Sequence, residues 1–323
     1  MTATDIRVLP YGDAAIAEAA RVIAAGGCVA VPTETVYGLA ADATSAAAVA
    51  GIFAAKGRPS FNPLIVHVAD LAAAERVAVF DDDARDLAAR FWPGPLTLVL
   101  PVREGAVASL VTAGLDSVAI RVPRHRAMQA LLAATGRPLA APSANASGTI
   151  SPTLATHVVA SLGGRIALVI DDGATKAGLE STIVRGRTVL RPGPIIETSL
   201  FPRDGGGPES QAHTSETPTS HLGGNTSVIV APGQLASHYA PRKPLRLNAT
   251  TASADEYHIG FGAIQGDATL SDSGDIVEAA ANLFAALHVA DASDRPAIGV
   301  APIPSDGIGA AINDRLTRAA HRD

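Results

Sequence analysis

Cysteine is nearly absent from this chain. Cys28 stands alone, so no intrachain disulfide can form and no cysteine-built zinc finger is possible. It lies in the apolar run Cys28-Val29-Ala30-Val31, which reads as a buried strand thiol rather than a nucleophile. Long apolar runs are missing too: none approaches the ~18 residues of a membrane-spanning helix. The first residues, with Asp5, Arg7 and Pro10, hold no signal-peptide core, so a cytoplasmic protein without membrane contact is expected. Positive charge is in deficit, with 25 Lys and Arg against 31 Asp and Glu and a formal net charge of −6. That argues against nucleic-acid binding over the whole surface, which calls for a basic protein. The nine histidines fall in neither H-E-x-x-H nor Cys/His spacing, so no metal held by protein ligands is expected. A P-loop sequence is absent, and no G-x-S-x-G surrounds Ser143, which removes the nucleophile-elbow reading.

What is present is a core-forming composition, 47 % hydrophobic, on a chain long enough for two domains. A helix is expected from Ala14 to Ala25, capped by Asp13 and stopped by Gly26-Gly27. A buried strand from Cys28 to Val31 follows. It runs into Pro32-Thr33-Glu34-Thr35-Val36-Tyr37-Gly38-Leu39, polar groups just past a strand end, where α/β proteins place ligands. A Thr-rich turn with satisfied hydroxyls fits this stretch as well.

A small-residue helix from Ser45 to Ala55 delivers the segment Lys56-Gly57-Arg58-Pro59-Ser60-Phe61-Asn62-Pro63-Leu64-Ile65-Val66-His67. Lys and Arg on a Gly/Pro frame suit a polyanion, although a solvated turn is the plain alternative. Leu64 to Val68 is a strand, and His67 on it is either a packed residue or part of a site. Asp82 to Phe91 is a helix with an acidic first turn. Leu96–Leu100 and Ser117–Pro123 are strands. The second carries Arg121 inside an apolar run, where a charge requires a carboxylate or a ligand. Around Pro142-Ser143-Ala144-Asn145-Ala146-Ser147-Gly148, small side chains let a ligand approach the backbone. A helix near Pro152, with Ser151 as N-cap, would add N–H groups for phosphate. Ala167–Ile170, Ser181–Arg185 and Thr188–Arg191 complete the strands, and Asp171-Asp172-Gly173 reads as a turn or a metal-water ligand pair.

Six of these stretches stand in one order: Pro32 to Leu39, Lys56 to Leu64, Ser117 to Pro123, Ala141 to Gly148, Ser181 to Val184, and Leu190-Arg191-Pro192-Gly193-Pro194. Together they resemble the YrdC-like family. Ala231-Pro232-Gly233, His238-Tyr239-Ala240-Pro241 and the run from Gly309 to Ala320 resemble the linker and the C-terminal end of the long, two-domain threonylcarbamoyl-AMP synthases. The resemblance implies an α/β fold. A YrdC-like twisted mixed-sheet domain would span residues 1–202, a linker crossing the active site 203–244, and a small Rossmann-like α/β domain 245–323. It implies that L-threonine, bicarbonate or CO2, and ATP are joined into threonylcarbamoyl-AMP with release of pyrophosphate. Downstream tRNA threonylcarbamoyl-transferase proteins would then use the product.

By the same resemblance, Thr35, His67, Arg121 and Ser181 would hold threonine, with the Ala141 backbone contributing. Lys56 and Arg58 would be catalytic. Arg58, Asn62, Ser117, Ser143, Asn145, Ser151 and Arg191 would bind ATP or the adenylate, and Tyr239 would close over the nucleotide. Mg²⁺ would arrive with ATP, held mainly by phosphates and water.

Arg203 to Thr226 is rich in Gly, Ser, Thr and Pro and reads as a flexible segment. Beyond it, strands are expected at Leu245–Leu247, His258–Phe261 and Ala297–Val300, and helices at Ile276–Val289 and Ile308–His321. No G-x-G-x-x-G accompanies them, so dinucleotide binding is not expected. This part either gates the site or merely stabilises the chain. The competing function is a non-catalytic double-stranded RNA binder using a local basic cleft. Carbamoyl-transfer maturation factors share the domain but carry zinc fingers, which one cysteine excludes.

Overall fold

The computed structural model describes residues 6–202, 231–233 and 238–321. The Gly/Ser/Pro-rich stretch that begins the linker lies outside the described residues.

The first domain is built on ten strands: β1 (Arg7–Pro10), β2 (Val29–Pro32), β3 (Tyr37–Asp42), β4 (Ile65–His67), β5 (Leu96–Pro101), β6 (Ser117–Arg121), β7 (Leu139–Ala140), β8 (Leu168–Asp171), β9 (Thr182–Arg185) and β10 (Thr188–Arg191). They form one mixed sheet in the order β1-β8-β2-β3-β7-β4-β6-β5-β9-β10. Strands β4 and β6 run parallel, while β7 joins them to β3 by antiparallel pairing on both sides. Most inner strands are apolar on both faces, as burial on both sides of a sheet requires. One side is closed by helix Asp13–Ala24 with helix Arg126–Thr135, and the larger cluster includes helices Ala46–Lys56 and Asp82–Phe91.

Local chemistry sets the helix ends near the site. Ser45 Oγ accepts the Ala48 N–H at 3.3 Å and starts helix Ala46–Lys56. Gly57, at φ 61°, ends it in the left-handed conformation, so Lys56 sits on the last turn. Two caps differ from expectation. Asp13 is the first helical residue and Gly12 takes the cap position, with no side chain bonded there. The helix after the small-residue loop begins at Ala155 behind Leu154, not at Pro152. Ser151 caps nothing: its hydroxyl is spent on the Glu180 carboxylate at 2.5 Å.

The second domain is a four-stranded, wholly parallel sheet of β11 (Leu245–Arg246), β12 (Glu256–Gly260), β13 (Ala268–Thr269) and β14 (Ala297–Val300), ordered β11-β14-β12-β13. Helices Ile276–Ala292 and Ile308–Ala320 pack with it. Strand β13 was not foreseen. The core of this domain continues into the first: Val36, Ile150 and Leu179 belong to the same apolar cluster as Leu283, Phe284 and Ile312. Contact is close enough that Gly178, at φ 68°, admits no side chain, since a Cβ there would lie 2.3 Å from the Ala280 carbonyl oxygen.

Candidate active site

One pocket, about 550 Å³ including its mouth, opens where β4, β6 and β9 meet the turn after β2. Sheet register builds its floor. His67 and Arg121 are partners on parallel β4 and β6, so an imidazole and a guanidinium arrive together at the strand ends. Arg121 is buried, and among the described residues each of its three guanidinium nitrogens donates one bond, which leaves one N–H on each of Nη1 and Nη2. Its Nε donates to Gly94 O at 3.1 Å, Nη1 to Thr35 Oγ1 at 3.0 Å, and Nη2 to Glu34 Oε1 at 2.6 Å. The partner that a buried arginine requires is therefore Glu34, supplied by the turn after β2. Burial pushes the Glu34 carboxyl up, but Arg121 outweighs it and holds the group below its ordinary value. Thr33 Oγ1 lies 2.8 Å from Thr35 Oγ1 and takes the N–H groups of Thr35 and Val36, which shapes that turn. Burial, then the neighbouring Arg121, lowers His67 to about 3, so its ring is neutral. His67 Nδ1 has no hydrogen-bond partner among the described residues.

The other wall is cationic. Arg58 lines the pocket and is steadied from behind, with Nε on Asn62 O at 3.2 Å and Nη2 on Pro63 O at 2.8 Å. Arg191, at the end of β10, clasps the Ser181 carbonyl oxygen through Nε at 3.1 Å and Nη2 at 2.9 Å. Ser181 Oγ sits 2.7 Å from Thr97 Oγ1. Lys56 is buried behind the small-residue loop, where Nζ donates to Ser143 O at 2.6 Å and Asn145 O at 2.5 Å. Burial, and then Arg58, push its pKa well below the ordinary lysine value.

The roof comes from residues far along the chain. Pro232, Gly233, His238 and Tyr239 all line the pocket. Ala240 donates its N–H to Gly148 O at 2.8 Å, which ties this stretch to the small-residue loop. Gly233 is in the left-handed region at φ 87°, and a Cβ there would stand 3.0 Å from Arg191 Cδ and 3.1 Å from the Tyr239 hydroxyl. Tyr239 is wholly buried, its ring centroid 5.6 Å from that of Phe284 in the second domain. Its hydroxyl and His238 Nδ1 have no partner among the described residues. Burial raises Tyr239, and burial with the surrounding cations depresses His238, so both are uncharged at neutral pH.

Of the residues expected from sequence, Thr35, Arg58, His67, Arg121, Ala141, Ser143, Ser181, Arg191 and Tyr239 line this pocket together. Lys56, Asn62, Ser117, Asn145 and Ser151 are buried but are not among its walls. Asn145 supports the loop through Nδ2 on Thr149 O at 2.8 Å, and Asn62 keeps both amide atoms unbonded among the described residues. Ser117 starts β6, four residues before Arg121. Sequence reasoning assigned no role to Glu34, Glu180 or His238. Each adjoins a residue that was assigned: Thr35, Ser181 and Tyr239. The Asp171-Asp172-Gly173 turn is accounted for by Arg126, which ion-pairs with Asp172 at 2.5 Å. Among the described residues, no three His, Cys, Asp or Glu side chains converge as a metal site, and no helix is long and apolar enough to cross a membrane.

A mixed sheet with Arg121 and Arg191 at its strand ends and Arg58 in the facing loop, roofed by a stretch that a second domain supports, defines a YrdC-type α/β protein. A family model described as "Telomere recombination" matches residues 21–193, and one described as "Threonylcarbamoyl-AMP synthase, C-terminal domain" matches residues 196–321. A threonylcarbamoyl-AMP synthase of Bacillus subtilis is 38% identical over 337 residues, covering 97% of this chain and 94% of the relative. One from Pyrococcus abyssi is 38% identical over 324 residues, covering 94% and 93%. The solved structure of Pyrococcus abyssi Sua5 complexed with L-threonine superposes with a TM-score of 0.83 at 36% identity, covering 98% of both chains. The chain belongs to the threonylcarbamoyl-AMP synthase family, in its long two-domain form.

Proposed function

We infer that this chain is a nucleotidyltransferase joining L-threonine, bicarbonate or CO2, and MgATP into threonylcarbamoyl-AMP, with pyrophosphate released. The observation that carries this reading is the convergence of Arg58, Arg121 and Arg191 on one pocket whose wall also holds the neutral imidazole of His67. Arg121, with Thr35, His67, Ser181 and the Ala141 backbone, holds threonine and meets its carboxylate as a fork donor. Arg58 and Arg191, with Ser143 and Tyr239, hold the nucleotide. Lys56 and Asn145 fix the small-residue loop beneath it, while Asn62, Ser117 and Ser151 stand buried behind the pocket wall, with Ser151 bonded to the wall residue Glu180.

The chemistry requires little covalent help. Threonine's neutral amine adds to CO2 and loses a proton to solvent to give a carbamate. A carbamate oxygen attacks the α-phosphorus, the bond to the bridging oxygen breaks, and pyrophosphate leaves. Such transfers depend on positioning and on neutralising charge at the phosphates, which the cationic wall supplies. Mg²⁺ comes as part of the nucleotide substrate. Residues 203–244 act as a linker whose last part closes over the bound nucleotide. The product passes, in the cytoplasm, to proteins that place the threonylcarbamoyl group on tRNA. The reading is tested with labelled bicarbonate. Label should enter an AMP-linked product only when L-threonine and ATP are both present, and label transfer independent of threonine would reject it.

A further inference from the structure

Among the described residues Arg315 is the largest wholly buried side chain, and it comes from helix Ile308–Ala320 of the second domain. Its Nε donates to Glu180 Oε2 at 2.9 Å, 135 residues away in the first domain. The other Glu180 oxygen accepts the Ser151 hydroxyl at 2.5 Å, and Glu180 itself lines the pocket. The Arg315 guanidinium carbon also stands 5.2 Å from the centroid of the Tyr239 ring, within cation–π range, and Nη1 binds Asp314 at 2.7 Å. Burial pushes the Glu180 carboxyl up, yet Arg315 and Arg191 together hold it below the ordinary carboxylate value, so the pair is ionic.

A buried ion pair is an expensive way to join two domains, because desolvation cancels much of its attraction. The interface has other contacts besides it. Leu179, Val36 and Ile150 already share an apolar core with the second domain, and His157 stacks on His288 at 3.8 Å. The Arg315 contacts instead end on two groups of the pocket. We propose that Arg315 is a positioning residue for the nucleotide half of the site: from the second domain it fixes the Glu180 carboxylate that orients Ser151, and it supports the ring of Tyr239. The second domain thus sets the geometry in which ATP is held, while threonine's subsite on β4 and β6 is built without it. This rests on the reading of the pocket as the threonylcarbamoyl-AMP site.

The test uses the full chain with Arg315→Met, Arg315→Lys and the double variant Arg315→Met with Glu180→Gln, each shown to be folded by its circular dichroism. Two readouts are taken: KM for ATP and for threonine in pyrophosphate release, and ATP binding by calorimetry without turnover. In Arg315→Met, ATP binding should weaken and the ATP KM rise by about tenfold, equivalent to about 1.4 kcal/mol of binding, with the threonine KM held within about twofold. Arg315→Lys, which keeps charge but loses the fork, should fall between parent and Met. The double variant should recover part of the loss, since it removes a stranded buried carboxylate. Equal rises in both KM values, or ATP bound by both single variants as tightly as by the parent, would overturn the proposal. A parent that binds ATP but shows no threonine-dependent turnover would instead reject the function, and the calorimetric comparison would still decide the role of Arg315.

Discussion

Arg121 Nη2 and Glu34 Oε1 stand 2.6 Å apart, joining the end of β6 to the turn after β2 within the pocket wall. Both side chains are largely shielded from water. Removing either partner strands the other, at a cost of about 3–5 kcal/mol. Arg121→Met is therefore expected to lose that much stability in urea unfolding, and Arg121→Met with Glu34→Gln to regain most of it. Threonine dependence should be lost in both variants. A double variant no more stable than Arg121→Met would show that Glu34 is not the group being stranded.

Arg58 and Lys56 should separate function from folding. Arg58 lines the pocket and, among the described residues, rests on two backbone oxygens. Arg58→Ala is expected to cut pyrophosphate release by about 100-fold or more, near 2.7 kcal/mol of transition-state stabilisation. Its melting temperature should change little. Lys56 is different, because its ammonium satisfies the carbonyl oxygens of Ser143 and Asn145 in the interior. Lys56→Ala should lose activity and also stability, at about 1–3 kcal/mol for each buried acceptor left unmet. Parallel melting curves and progress curves check both, and full release by either variant would contradict the assigned roles.

The fold was largely legible because its signals are local. Gly57 after Lys56 marks a helix stop, and the apolar run around Arg121 marks a buried strand. What sequence could not show was pairing across the chain. Arg121 announced its need for a carboxylate, but Glu34 is 87 residues away and only sheet order brings it near. Glu180 and Arg315 are 135 residues apart and on different domains. Ser151 had the residue type and place of a helix cap, and tertiary contact with Glu180 claimed its hydroxyl instead. Strand β13 escaped because two residues carry no readable alternation.

The domain interface should loosen in mild acid. His157 stacks on His288, whose Nε2 lies 3.1 Å from Ser151 O. Burial, then His288, lowers His157 to about 4, and burial lowers His288 as well. Below an unfolded value of about 6.5, the unfolded chain takes up protons that these rings refuse, so stability falls as pH drops from about 6.5 towards 4. The buried rings of His67 and His238 act in the same direction. Melting temperature should drop between about pH 7 and pH 5, and His157→Phe, which keeps the stack without the titration, should drop less. Equal losses in parent and variant would remove His157 from the account.

Cys28 should be inert. Burial raises its pKa to about 11, and Sγ lies against Ala48 O at 3.9 Å. A thiol-selective reagent at about pH 8 should label the folded chain roughly 100-fold more slowly than the chain in denaturant, since the thiolate is the reactive form. Cys28 stands just before β2 and is half-buried rather than a buried strand residue as expected, so rapid labelling of the folded chain would contradict only the raised pKa of its thiol.

The most direct test of the whole account is pyrophosphate release from MgATP by the purified chain, with bicarbonate present, across a panel of amino acids. The account predicts release that requires both L-threonine and bicarbonate and stays near background with the other amino acids. Release that ignores the amino acid supplied, or a folded chain that binds ATP and releases nothing with threonine, would contradict it.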